Sequence, residues 1–253
     1  MPPVATPAIV LSTLRYGETS KIARLATRDL GIQSAIAKGA SRPRSRFGAA
    51  LHLLSEGQAT LYLSRSSDLH TLAQFDPHHV RTGLAERMDR FATATLLSEL
   101  MLRFAPAGPH PESYDLFRDA LALLEAAPAA AVEPLGLRTL WRLVAVLGFA
   151  PALTACARDG DPVPPDGAAC FSPQDGGVLC ARCATSVVGA RLAPGDRRDL
   201  GAFLDPRAEL PSPSERHLAA HRRLLDRYIR HHLGEGAALP ALAFWLTRDW
   251  AAA

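Results

Sequence analysis

Lysine is almost missing from this chain. Only Lys21 and Lys38 carry it, and arginine supplies the rest of the 28 basic residues. Beside so much alanine, that bias reads as GC-rich coding rather than a functional choice. Cysteine is scarce as well, four in 253 residues, which excludes a disulfide-built mini-scaffold. No run of about 18 apolar residues free of charge occurs, so no transmembrane helix is expected. Met1 to Val10 lacks the basic start and long apolar stretch of a secretory leader, which makes the cytoplasm the expected compartment. GxSxG, HExxH and dinucleotide fingerprints are missing too. Gly17-Glu-Thr-Ser-Lys21 has the residue types of a phosphate loop in the wrong order. With no paired acid–base constellation and no repeat of 20–50 residues, the chain does not read as an enzyme or a solenoid.

What is present is ample core material, 48% hydrophobic against 21% charged residues. The net charge of +3 is unevenly placed. Residues 1–75 hold nine basic and four acidic residues, a local +5, which leaves −2 for the remainder. A basic front end points to an anionic partner for the first domain.

The hydrophobic period divides the chain in the same place. Up to Phe75, apolar residues alternate in short runs (8–16, 21–27, 32–37, 58–63 and 69–75) broken at Gly17, Asp29–Gly31, Gly39–Arg46 and Ser64–Asp68. Five short strands with turns suit a small barrel. After Asp76–Pro77 the spacing becomes three and four. Helices are expected over 80–104, over 112–125 opened by Pro111, and over 135–149 opened by Pro134. More are expected over 196–204, over 214–233 capped by Ser214 and ended by Gly234, and over 239–247. The expected architecture is α+β: a barrel domain over 1–77, then an all-α domain over 78–253 with a cysteine-containing insert at 151–185.

All four cysteines lie in or beside that insert: Cys156, Cys170, Cys180 and Cys183. Cys180-Ala-Arg-Cys183 has the two-residue spacing that lets two thiolates grip one tetrahedral ion, after a Gly176–Gly177 turn. The first half is irregular, with thirteen residues between Cys156 and Cys170. Four thiolates around a structural zinc compete with free thiols or a decayed site. No thioredoxin-like pattern surrounds the pair.

The second constellation is Lys38-Gly-Ala-Ser-Arg-Pro-Arg-Ser-Arg46, four cations in nine residues without an acid, near Lys21, Arg24 and Arg28. Such a loop on a barrel tracks phosphates of single-stranded nucleic acid; the plainer reading is a solvated surface loop. Tyr16, Phe47, Tyr62 and Phe75 divide between base stacking and core. His78–His79 and His231–His232 read as helix-margin pairs, and Trp141, Trp245 and Trp250 as packing residues.

These stretches resemble the RecO family of bacterial recombination mediators. The resemblance is carried by Ile9–Ile22, Leu25–Gly31, Ala37–Gly48, Phe171-Ser-Pro-Gln-Asp-Gly-Gly-Val-Leu-Cys180 and Arg227-Tyr-Ile-Arg-His-His-Leu-Gly234. It implies an N-terminal OB-fold, a helical C-terminal domain and, in many members, a zinc knuckle. It also implies binding of single- and double-stranded DNA, strand annealing, and partnership with RecR and single-stranded-DNA-binding protein, without a membrane. A nucleoid-associated cytoplasmic location goes with it.

Two positions depart from the family pattern. Zinc-bearing relatives usually have CxxC at the first ligand pair, where this chain has Cys156 followed by Asp159. After Gly234, a basic-then-serine pair is replaced by Gly236-Ala-Ala-Leu-Pro240. The expected zinc ligands are therefore Cys156, Cys170, Cys180 and Cys183, with Asp159 as an alternative oxygen ligand. The expected DNA contacts are Lys21, Arg24, Lys38, Arg42, Arg44 and Arg46. Arg216, Arg222, Arg223 and Arg227 are candidates for the acidic tail of the single-stranded-DNA-binding protein, or simply a solvated helix face. A zinc-containing barrel adaptor that binds RNA or protein without annealing is the alternative.

Overall fold

The computed structural model describes residues 2–48, 50–187, 189–234 and 238–247. Trp250 and the Gly236–Ala237 part of the departing stretch lie outside them.

The alternating runs form five strands: β1 (Val4–Tyr16), β2 (Ser20–Thr27), β3 (Gly31–Ala37), β4 (Glu56–Tyr62) and β5 (Leu69–His79). They close into a barrel in the order β1-β2-β3-β5-β4. β1 serves two neighbours, pairing with β4 through Val4–Ile9 and with β2 through Ala8–Tyr16. The register slips between Val10 and Ser12, and such a bulge bends a strand so that it can turn a barrel corner. β3 and β5 run parallel, which completes the OB arrangement expected from the sequence.

Alternation explains the walls. In β2, Ala23 and Leu25 are buried while Arg24 between them is exposed. Five alanines (Ala8, Ala23, Ala35, Ala37, Ala59) line the interior, and the space they leave is filled by Leu25, Leu61, Leu72, Phe75 and Phe47. Phe47 comes from the basic loop and is 1% exposed. Burying such a side chain contributes about 1.5–3 kcal/mol, so the loop is anchored to the barrel by its own aromatic residue.

β5 runs past Pro77 to His79, further than expected. Pro77 faces Gly57 where the register shifts, and a side chain at Gly57 would overlap the Asp76 carbonyl. An irregularity of this kind is where a strand tolerates proline. Beyond it, the buried Arg81 guanidinium bonds Glu56 and lies 3.5 Å from Glu125. His78 and His79 lie 3.4 and 3.0 Å from those two carboxylates, so they end a strand rather than border a helix. The first helix starts correspondingly late: a 3-10 turn (Thr82–Leu84) precedes α1 (Met88–Phe104), and α2 (Pro111–Ala126) follows. Ser98 of α1 donates to the Leu11 carbonyl at the bulge, 3.2 Å.

Residues through Glu125 form one compact unit, so α1 and α2 group with the barrel although the hydrophobic period changes near residue 77.

The second unit, from Ala126, is built on α3 (Ala129–Val144), α5 (Pro194–Leu204), α6 (Glu215–His232) and α7 (Pro240–Thr247), with a one-turn α4 (Ala181–Ala184). Pro134 does not open α3 but lies inside it; the extended Pro128 precedes the helix instead. A π-helical turn (Ala145–Phe149) ends α3, with Gly148 at φ 99°.

The domain is not all-α. β6 (Ala169–Ser172), β7 (Gly177–Leu179) and β8 (Ala190–Leu192) form an antiparallel sheet in the order β7-β6-β8, which carries the insert past residue 185. Strands of three or four residues carry no readable alternation, which is why the sequence hid them. Tyr228 of α6 joins sheet to helices, with ring centroids 5.9 Å from Phe171 and 5.2 Å from Trp141. Among the described residues no helix is long and apolar enough to cross a membrane.

Candidate nucleic-acid interface and metal centre

The basic loop leaves β3 at Lys38 and proceeds by successive tight turns: Arg42 N–H to Gly39, Ser45 to Arg42, and Gly48 to Ser45, each 3.1 Å. Such turns need no regular partner strand and leave side chains free to point outward. Ser41 N–H donates to the Thr19 carbonyl at 2.8 Å, fastening the loop beside the β1–β2 turn. Phe47 plugs the barrel at the other end, with the Arg46 guanidinium 5.1 Å over its ring.

Lys38, Arg42, Arg44 and Arg46 are exposed, and Lys21 sits half-buried on β2 between Arg15 and Ala37. Among the described residues none of these five forms an ion pair with a carboxylate. Cations left unneutralised on one loop create a positive potential for an anionic polymer.

Arg24 stands apart from them. Its guanidinium donates to the Leu102 carbonyl of α1 at 3.4 Å and borders a groove of about 400 Å³ with Leu53, Glu99 and Arg103. Arg28 is held by Asp115 through two hydrogen bonds, 3.1 and 3.0 Å, which keep the Asp115 carboxyl below its usual range.

Strand register reveals what the sequence concealed. Leu14 pairs with Ile22, Ile22 with Ile36, Ile36 with Thr71, and Thr71 with Tyr62. One row around the barrel therefore carries Leu14 (68% exposed), Ile22, Ile36 and Tyr62 (48%), with Tyr16 (51%) two residues beyond Leu14. Phe47 and Phe75 are core, so of the four aromatic residues only Tyr16 and Tyr62 are free to stack. An apolar row beside a cationic loop offers faces for bases and charges for phosphates.

The second centre lies in the insert. Cys156 N–H donates to the Asp161 carbonyl (2.7 Å), Gly160 N–H to the Cys156 carbonyl (2.9 Å), and Asp161 N–H to Asp159 Oδ1 (3.1 Å). Gly160 at φ 79° closes this knuckle. Opposite it, Cys180 precedes α4 and Cys183 lies within it. Arg197, 6% exposed, holds the surrounding loop by donating to the carbonyls of Leu153, Val163 and Pro164.

The donors that converge are Cys156, Asp159, Cys180 and Cys183, whose ligand atoms all lie within 4.8 Å of one another. Asp159 Oδ2 accepts from Cys183 Sγ at 3.0 Å, Cys180 Sγ at 3.4 Å and Arg182 at 2.9 Å. Hydrogen bonding from Cys183, then from Cys156 and Arg182, holds the carboxyl far below its usual range, and the bond to Asp159, helped by burial, pushes the Cys183 thiol up to about 12. The carboxylate is thus the anion around which the thiols gather. A dication placed among them would instead take three thiolates and one carboxylate oxygen, a donor set that fits tetrahedral zinc.

Cys170 is not part of this cluster, which corrects the four-cysteine expectation. It sits on β6, paired with Leu179 and Arg191, and its sulfur abuts Gly189. The sheet ladder holds it there, and Asp159 supplies the fourth donor. Of the α6 arginines, Arg222 lies 3.1 Å from Glu133, while Arg216, Arg223 and Arg227 are exposed.

Comparisons with known proteins point to one family. The family model described as recombination protein O, N terminal, matches residues 1–81, and recombination protein O, C terminal, matches residues 85–239. The chain is 36% identical over 178 residues to a DNA repair protein RecO of Rubrobacter xylanophilus, covering 69% of each chain. It is 35% identical over 226 residues to that of Symbiobacterium thermophilum, covering 87% of this chain and 88% of the relative. A third, from Anaeromyxobacter dehalogenans, is 33% identical over 238 residues, 91% of each.

Proposed function

This chain belongs to the RecO family of DNA repair proteins, and we propose that it works there as a non-enzymatic mediator that binds single- and double-stranded DNA and anneals complementary strands. The observation that supports this reading is the loop at 38–46, whose exposed cations have no carboxylate partners among the described residues and stand beside an outward apolar row. Lys21, Lys38, Arg42, Arg44 and Arg46 neutralise phosphates. Tyr16 and Tyr62 give bases a face to stack on. Arg24, turned toward α1, contributes at the edge.

Two strands held on such a surface repel one another less and meet at higher local concentration, while base pairing supplies the driving free energy. No nucleotide hydrolysis is needed. RecR and the acidic tail of single-stranded-DNA-binding protein are the proposed protein partners, the tail meeting exposed arginines such as Arg223 and Arg227. Cys156, Asp159, Cys180 and Cys183 are the proposed ligands of a structural zinc, whose bond energy would hold a loop segment that has little core of its own.

The test is annealing, without ATP, of complementary strands coated with single-stranded-DNA-binding protein, with and without its acidic tail. Annealing of the fully coated strands that slows when the tail is removed supports the mediator. DNA binding with no annealing in either case sinks it and favours the adaptor reading.

A further inference from the structure

A second cluster of donors lies apart from the thiolate centre and is used by none of the functions above. Asp196 and Asp199 are three residues apart on α5, which places them on one face of the helix. Across from them, α6 contributes His221. One carboxylate oxygen from each aspartate and one imidazole nitrogen lie within 4.8 Å of one another.

His221 is 2% exposed, yet neither Nδ1 nor Nε2 has a hydrogen-bond partner. That is a costly state for a polar ring, since an unpaired buried group forfeits its hydration without replacement. The carboxylates are close enough to face the ring but do not bond it. Donors bound tetrahedrally to one cation at about 2.0–2.2 Å are themselves held roughly 3.3–3.6 Å apart, longer than a good hydrogen bond and inside the observed limit.

We propose that Asp196, Asp199 and His221 form a second metal site, for a divalent first-row cation of the zinc or cobalt type. Imidazole with carboxylate is a harder donor set than the thiolate centre and selects among cations differently. Two carboxylates balance the charge of a dication. Phe203 meets the imidazole edge-on with centroids 5.3 Å apart and fixes its plane. A pocket of about 200 Å³, bordered by Asp196, His221, Leu192 and Leu224, leaves room for water at the remaining positions. Arg191, Arg223 and Arg227 border the same pocket, so an anion could reach such a metal from outside.

Cobalt(II) added to the full-length protein as purified tests this proposal. Cobalt on thiolates gives intense sulfur-to-metal charge-transfer absorption, whereas cobalt on carboxylate and imidazole gives weak d–d bands alone. The expected result is weak d–d bands from one cobalt per chain beyond any that the thiolates take up, weakened at least tenfold in Asp196→Asn/Asp199→Asn and in His221→Ala. The aspartates are only half-buried, so their double variant keeps the test decisive if loss of His221 impairs folding. Cobalt signals that are solely of the thiolate kind, or d–d binding undiminished in the double aspartate variant, would overturn the site and leave His221 as a ring bridged by water. Neither outcome depends on whether the thiolate centre holds zinc, because the two spectra are distinct.

Discussion

The barrel and the cysteine insert solve the problem of a small core in opposite ways. The barrel closes five strands on themselves, so that every strand has two neighbours and alanine-lined walls surround a few large side chains. The insert has strands of three or four residues and is fastened by point contacts: the Arg197 guanidinium on three carbonyls, Phe171 against Tyr228, and four donors gathered around one place. A closed ladder spreads its stability over many weak bonds. A clip concentrates it in a few, and therefore fails all at once.

The sharpest way to break this contrast is to remove the clip. Cys180→Ser or Cys183→Ser should lower the zinc content found by elemental analysis by one ion per chain and expose residues 151–192 to proteolysis. Binding of a structural zinc in small zinc-finger peptides is worth about 10–16 kcal/mol, so the effect should be all-or-none. Cys170→Ser should keep its metal, and Asp159→Ala should lose it. Metal content that depends on Cys170 and not on Asp159 would refute the ligand set.

The barrel should respond by degrees. Phe47→Ala leaves a cavity among alanine walls and should cost about 3–5 kcal/mol, seen as a lower denaturation midpoint of the barrel unit. Loss of DNA binding should accompany it, because the basic loop is anchored by that ring. An unchanged midpoint would mean the loop is not part of the barrel core.

A smaller change separates charge from fold. Arg42, Arg44 and Arg46 replaced together by Ala should leave melting unaltered, since all three are exposed. The slope of log affinity against log salt for single strands should fall by roughly 2, at about 0.7 per phosphate contact. An unaltered slope in the folded variant would remove this loop from the interface.

The smallest expected effect concerns Arg28 and Asp115. The carboxyl is held below its usual range chiefly by the hydrogen bond from Arg28, so the folded state binds its proton less readily than the unfolded chain. The resulting stability is complete above the ordinary carboxylate value, about 3.9, and disappears as pH falls through the lower folded value. Asp115→Asn should lower stability slightly at neutral pH, where the pair's contribution is complete, and flatten the acid limb so that the two proteins converge at low pH. Equal acid limbs in both proteins would show the pair to be inert.

The elements of regular length were legible because their signals are local. Alternation marked all five barrel strands, and three-to-four spacing marked the larger helices, although Arg81 between Glu56 and Glu125 delayed α1 to Met88. Cys180 and Cys183 were legible as a ligand pair for the same reason, being one helical turn apart. The exposed cations of the basic loop were legible because they are contiguous.

Composition, period and short motifs thus determined the barrel, the helices, the family and the basic loop, all properties carried by residues that are neighbours in the chain. Tertiary structure alone decided that Arg24 turns to Leu102 and that β6 takes Cys170 out of the thiolate cluster. It also decided that Asp159 meets Cys183 across 24 positions, and that Asp199 faces His221 from another helix. The physical reason is that a donor's partner is chosen by the packing of distant elements, and no local period records which side chains that packing will bring together.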